Sequence, residues 1–206
     1  MAEGNASAVG GSAQRSVTVY AGSSRRAPEP LLALARELGR GIAARGWLLV
    51  YGGAEIGLMG ALADAALEAG GRVEGVILDT FARVAHASLH ALETVADMRS
   101  RKAGLAHRGD AYVVLPGGLG TLEELSEIAV ERQLGLHAKP LVLVNFAGFW
   151  DPLLTQLDRQ VEMGLVRPAH RAVLTVVPDA PEALAAVEQG FASTAAPAAP
   201  DLEKLA

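Results

Sequence analysis

Three glycine-bearing stretches of this chain each follow a short apolar run: Ala21-Gly22-Ser23-Ser24, Gly52-Gly53-Ala54-Glu55-Ile56-Gly57-Leu58-Met59-Gly60 and Pro116-Gly117-Gly118-Leu119-Gly120-Thr121. Glycine lets a strand-to-helix turn aim backbone N–H groups at an anion, and the dipole of the following helix favours negative charge there. One such turn is ordinary, whereas three in one chain point to a phosphate-bearing ligand. Two charged clusters accompany them. In Asp97-Met98-Arg99-Ser100-Arg101-Lys102, Asp97 is a good N-cap, and three cations near a helix N-terminus oppose the macrodipole. A bound anion would relieve that conflict; the alternative is a solvated basic face. In Thr121-Leu122-Glu123-Glu124, Thr121 as N-cap and Glu124 at N3 would form a capping box. Glu124 is equally a carboxylate able to activate water or stabilise positive charge beside a phosphate, provided that Arg101 and Lys102 separate it from the anion. The spacing leaves both readings open.

The elements that must position these residues follow from hydrophobic patterning. Apolar, β-branched runs predict strands at 16–21, 47–51, 72–77, 111–115, 141–145 and 173–177, and their continuous apolar character suits strands covered on both faces. Helical periodicity is expected over about 29–45, where Leu31, Leu34, Leu38 and Ile42 share one face, and over 58–69, 98–108, 121–134, 151–162 and 181–189. Segment 79–92 is ambiguous, with a short helix one option. The alternation predicts an α/β fold: a doubly wound, mostly parallel, Rossmann-like sheet flanked by helices on both faces. Ala, Gly, Ser and Pro dominate 1–14 and 192–206, which read as disordered tails around a single domain at 15–191.

Composition removes several classes of function. With 18 Lys+Arg against 23 Asp+Glu the net charge is −5, so the footprint of a nucleic-acid binder is missing. There are no cysteines, which excludes thiolate catalysis, Cys-based zinc sites and disulfides and suits a reducing compartment. No apolar run is long enough to span a bilayer and the N-terminal residues lack a secretory pattern, so no membrane partner and a cytoplasmic location are expected. His86, His90, His107, His137 and His170 show no ligand spacing and read as solvated or helix-end residues; no metal is expected. The glycine stretches match neither a Walker A loop nor G-x-G-x-x-G, which favours a mononucleotide or sugar phosphate over a dinucleotide. Trp47 reads as core, and Phe146, Phe149 and Trp150 as a core edge or a dimer contact.

Pro116-Gly117-Gly118-Leu119-Gly120-Thr121-Leu122-Glu123-Glu124 resembles the PGGxGTxxE motif of the LOG-type cytokinin riboside 5′-monophosphate phosphoribohydrolases, a family long labelled as lysine decarboxylases, and Met98, Arg101 and Lys102 resemble its second signature. The resemblance extends over about 16–191. Ala54 departs from it where a third Gly is usual, and Leu78 where Pro is usual, which leaves base preference open. It implies hydrolysis of the N-glycosidic bond of a nucleoside 5′-monophosphate to free base and ribose 5-phosphate. Glu124 and Arg101 would be catalytic. Gly117, Gly118, Gly120 and Thr121 would cradle the phosphate, Lys102 and Met98 would assist binding, and Gly22, Ser23, Gly52, Gly53 and Gly57 would complete the wall. A homodimer and a small nucleotide substrate are implied as partners, with no cofactor. Only Lys102, Lys139 and Lys204 could form the Schiff base that a pyridoxal enzyme needs, and none is well placed. A broader AMP or pyrimidine nucleotide nucleosidase and a non-catalytic nucleotide carrier or sensor are the alternatives.

Overall fold

The computed structural model describes residues 14–193. Short runs rich in Val, Leu and Tyr form the strands β1 (Ser16–Tyr20), β2 (Leu48–Tyr51), β3 (Val73–Leu78), β4 (Ala91–Val95), β5 (Ala111–Val114), β6 (Leu141–Val144) and β7 (Thr175–Val177). The amphipathic segments between them form α1 (Glu29–Ala44), α2 (Gly57–Glu68), α3 (Met98–Arg108), α4 (Leu119–Gln133), α5 (Asp151–Glu162), α6 (Pro168–Arg171) and α7 (Ala180–Ala192). All strand pairs are parallel, in the order β4-β3-β2-β1-β5-β6-β7. Parallel neighbours need crossovers, and the helices that make them cover both faces. On one face α1, α2 and α7 bury Leu38, Ile42, Leu62 and Leu184 against the sheet; on the other, α3 and α4 bury Leu105, Leu125 and Ile128, and α5 packs beside them. Each such side chain contributes about 1.5–3 kcal/mol by leaving water. This is the doubly wound α/β sandwich expected from the sequence.

The strand order fixes where a ligand can bind. Strands β1 to β4 advance in one direction, and β5 then returns to the other side of β1, so the chain splits apart beyond the carboxyl ends of β1 and β5. The first and third glycine loops flank that split and are tied together where Gly22 N donates to Pro116 O at 3.2 Å.

Three expectations need correction, and one ambiguity is resolved as the short helix it allowed. Strand β4 is an additional strand. Four of its five residues are exposed at the sheet edge, so ALETV carries no apolar run to announce it. The ambiguous segment before it begins as a 3-10 helix over Asp79–Val84. Helix α4 starts at Leu119 rather than Thr121. Finally, α7 runs on to Ala192, inside the stretch expected to be a tail. The other expected tail residues lie outside the described residues, except Gln14, whose Nε2 donates to Gly46 O at 2.9 Å, and Ser193. Trp47 is buried, as is Trp150, while Phe149 is half exposed and meets the Trp150 ring edge-on. Among the described residues no helix is long and apolar enough to cross a membrane.

Candidate active site

A cavity of about 380 Å³ opens at the β1/β5 split. Its charged wall is made by the N-terminal halves of α3 and α4. Asp97 caps α3, with Oδ1 accepting from Ser100 N at 2.9 Å and Oδ2 from Ser100 Oγ at 2.7 Å. The cap starts the helix so that Arg101 points across the split. From there Arg101 Nη1 donates to Glu124 Oε1 at 2.8 Å, and both side chains are largely withdrawn from solvent. The same guanidinium lies against Gly52, where a Cβ would come within 2.5 Å of Nη2, so glycine at the end of β2 makes room for the arginine.

The capping-box reading of Glu124 is overturned by where α4 begins. Gly118 is the N-cap and Leu122 N donates to Gly118 O at 3.0 Å, which leaves Thr121 inside the first turn and Glu124 in the second. Thr121 is buried and packs over Gly117, where a Cβ would collide with its side chain. Glu124 is only 7% exposed, with Arg101 as its hydrogen-bond partner. Burial raises its carboxyl above the ordinary value, while the Arg101 charge pulls it part of the way back. Tyr20 also borders the cavity, and burial holds its phenol far above the usual range, so it stays neutral.

The structure gathers Gly22, Ser23, Gly52, Met98, Arg101, Gly118, Gly120, Thr121 and Glu124 around this one cavity. Gly118 and Gly120 face open space, with no atom within 4 Å of an added Cβ, so nothing in the protein's own packing requires glycine there. A ligand sitting on the N-terminus of α4 would require it.

Four expected site residues lie behind the wall instead. Gly117 is packed under Thr121. Gly53 (φ +76°) backs onto Ile77 and Leu92, and Gly57 (φ +64°) brings the second loop against the Ser23 backbone; both conformations favour glycine for chain geometry. Lys102 turns outward to Glu123 and to Glu127 Oε2 at 3.2 Å. Arg101 and Lys102 are thus balanced by acids of α4, and these two cations need no bound anion to relieve their conflict with the helix dipole. Lys139 donates to Ala106 O at 2.8 Å and to the Tyr112 hydroxyl at 3.2 Å, and like Lys102 it does not border the cavity. Lys204 lies outside the described residues.

The opposite, apolar wall was not legible in the motifs. It comprises Ile56, Met59, Ile77, Leu78, Phe81 and Val84. A usable signal was nevertheless present: Leu78, Phe81 and Val84 are spaced three apart, and a 3-10 helix with three residues per turn puts such residues on one face. Among the described residues no cluster of three or more His, Asp or Glu could hold a metal ion. His86 proves to be buried rather than solvated, and His137 is half-buried, with Nε2 at 3.1 Å from Ile128 O.

A family model described as possible lysine decarboxylase matches residues 59–187. The cytokinin riboside 5′-monophosphate phosphoribohydrolase of Rhodococcoides fascians is 44% identical over 176 residues, covering 84% of this chain and 89% of that protein. The chain belongs to the LOG-type phosphoribohydrolase family. Another relative, LOG5 of Arabidopsis thaliana, is 40% identical over 174 residues, covering 84% of this chain and 76% of its own length. Among solved structures, the molybdenum cofactor carrier protein of Chlamydomonas reinhardtii matches with TM-score 0.67 and 27% identity, covering 88% of this chain and 99% of that one. The molybdenum cofactor binding protein of Rippkaea orientalis has TM-score 0.66 at 20% identity, over 85% and 96%, which shows the shared fold.

Within the LOG-type family the two departures have simple local explanations. Ala54 has no left-handed backbone, since Ala147 is the one non-glycine with positive φ among the described residues, so alanine fits without strain and borders the cavity. Leu78 adopts φ −73° and ψ 144°, a conformation open to proline as well, and its side chain joins the apolar wall.

Proposed function

We propose that the chain hydrolyses the N-glycosidic bond of a nucleoside 5′-monophosphate of the cytokinin riboside or related purine kind. The observation that carries this reading is the buried Arg101–Glu124 pair, 2.8 Å apart, set beside the unobstructed Gly118–Gly120 face at the N-terminus of α4. A 5′-phosphate on those backbone N–H groups places its ribose against the pair and its base against Ile77, Leu78 and Phe81. The C1′–N bond breaks through an oxocarbenium-like state. The Glu124 carboxylate faces the developing positive charge and takes a proton from the attacking water as its oxygen bonds to C1′, while the bonding electron pair leaves with the base, which takes up one proton from solvent as Glu124 returns the one it gained, so that one water is added across the C1′–N bond. Arg101 fixes the carboxylate and keeps its charge in place. Names of relatives support the same chemistry. No metal or cofactor is needed for it.

The reading includes a homodimer, for which the exposed Leu119 and Phe149 and the LOG-type resemblance speak, and a cytoplasmic location, for which the cysteine-free composition speaks. A single domain over 15–191 is part of it. A non-catalytic carrier or sensor is the second reading, favoured by the likeness to the Chlamydomonas molybdenum cofactor carrier protein. One assay separates the two: incubate the protein with AMP, GMP, CMP and N6-isopentenyl-AMP and quantify free base by chromatography. Catalytic release from the purine nucleotides is expected. Binding without release of any base would overturn the enzyme in favour of the carrier.

A further inference from the structure

The apolar wall of the cavity hangs on a segment with little hydrophobic hold of its own. Between Asp79 and His90 every residue is exposed or half-buried except His86, which is 8% exposed, and the 3-10 turn carrying Phe81 and Val84 buries no residue. Polar contacts hold this strap to the second glycine loop and to α2. Glu55 N donates to Val84 O at 2.9 Å, His86 N donates to Gly53 O at 2.9 Å, and Ala54 and Ala85 form an isolated antiparallel bridge between those two bonds. The His86 ring completes the attachment. Its Nδ1 accepts from Ser88 N at 3.2 Å, so the ring hydrogen sits on Nε2, which points at Asp64 Oδ1 on α2, 2.9 Å away. The strap is thereby clamped both to the loop beneath it and to the helix behind it.

We infer that His86 and Asp64 form a positioning pair that fixes Phe81 and Val84 as the base-facing wall of the cavity, and so sets substrate affinity without touching substrate. Neither residue borders the cavity. Leu89 at the far end is the strap's one apolar side chain packed against the core, so the part that carries Phe81 and Val84 opens locally at low cost, and loss of its one buried polar side chain leaves only two backbone bonds and a bridge to hold Val84. The charged wall belongs to α3 and α4 and stays in place. The pair therefore governs binding of the base and leaves the chemical step alone. The kinetic part of this inference rests on the nucleotide-hydrolase reading; the structural part does not.

The test uses the full chain with His86→Ala, Asp64→Ala and Asp64→Asn. Asp64 is largely exposed on α2, so its variants fold even if the histidine variant is compromised. Arg83 is exposed in the strap and gives trypsin a site whose cleavage can be followed by mass spectrometry under native conditions. Both alanine variants should speed cleavage after Arg83 by about tenfold, whereas Asp64→Asn, which keeps an acceptor for Nε2–H, should stay close to wild type. In the kinetic arm, KM for AMP should rise about five- to tenfold with kcat within about twofold, and inhibition by ribose 5-phosphate, which has no base, should not change. Unaltered cleavage at Arg83 in Asp64→Ala would overturn the clamp. Faster cleavage with an unchanged KM, or an equal loss of ribose 5-phosphate affinity, would overturn its role in base recognition. Absence of turnover in the wild type would instead count against the hydrolase reading, and the proteolysis would still decide the clamp.

Discussion

The two walls of the cavity are built on opposite principles. The α3/α4 wall holds a buried, paired charge on two regular helices, each started at a defined cap. The wall across from it is an exposed 3-10 turn held by polar contacts and one buried histidine. Rigid helices suit a step whose barrier depends on the placement of a carboxylate to fractions of an ångström, because a preorganised charge need not reorganise during reaction. A loosely anchored turn suits recognition of a variable base, where changing a few apolar side chains alters the fit and leaves the chemistry intact. Division of labour between the walls is the consequence.

The comparison is broken most severely by removing the charge from the rigid wall. Glu124→Gln should lower kcat by about a hundredfold or more. Its effect on stability should be small and of favourable sign. The folded-state pKa of Glu124 is raised above the ordinary 4.5, so the stability it contributes is fully present below the unfolded value and is lost as pH rises through the folded one. At neutral pH the ionised side chain is therefore a cost that glutamine removes. In the wild type kcat should fall on acidification through that raised value, at a higher pH than an ordinary glutamate would set, and a pH–rate profile of both proteins checks it. A wild-type profile with no acid limb above the ordinary 4.5, or a glutamine variant with unchanged kcat, would move the chemistry to another carboxylate.

Glycines of one loop sharpen the comparison at a smaller scale. Gly120→Ala places its methyl in open space within α4, so helix propensity should stabilise the fold by up to about 1 kcal/mol. The same methyl obstructs the ligand, and KM should rise about tenfold. Gly117→Ala drives a methyl into buried Thr121 and should cost about 1–3 kcal/mol of stability. Thermal melts alongside steady-state kinetics separate the two, and parallel losses of stability in both variants would mean that the Gly120 face serves packing.

The legibility of the sequence followed the same division. Six strands, the long helices and the Asp97 cap were readable because the five inner strands, the apolar VLTVV run at the β7 edge and the long helices carry apolar signals, whereas the four-residue α6 is too short to show a period. Strand β4 was not, since a half-solvated edge strand shows no such run. Arg101 and Glu124 stood out by residue type, but their pairing across 23 positions is a tertiary fact. Lys102, equally prominent in the motif, turns away because Glu123 and Glu127 present acids on the outer face of α4. Gly53, Gly57 and Gly117 look identical in sequence to Gly118 and Gly120, and only the surrounding backbone tells a glycine that packs from one that faces a ligand. His86 gave no signal, because a lone histidine becomes an anchor only when folding brings Asp64 beneath it.

Release of free adenine from AMP and from adenosine, measured side by side as kcat/KM, tests the central claim most directly. If the N-terminus of α4 holds a 5′-phosphate and uses that binding to set the glycosidic bond against Glu124, AMP should exceed adenosine by about a hundredfold or more. Equal values for the two would contradict the account.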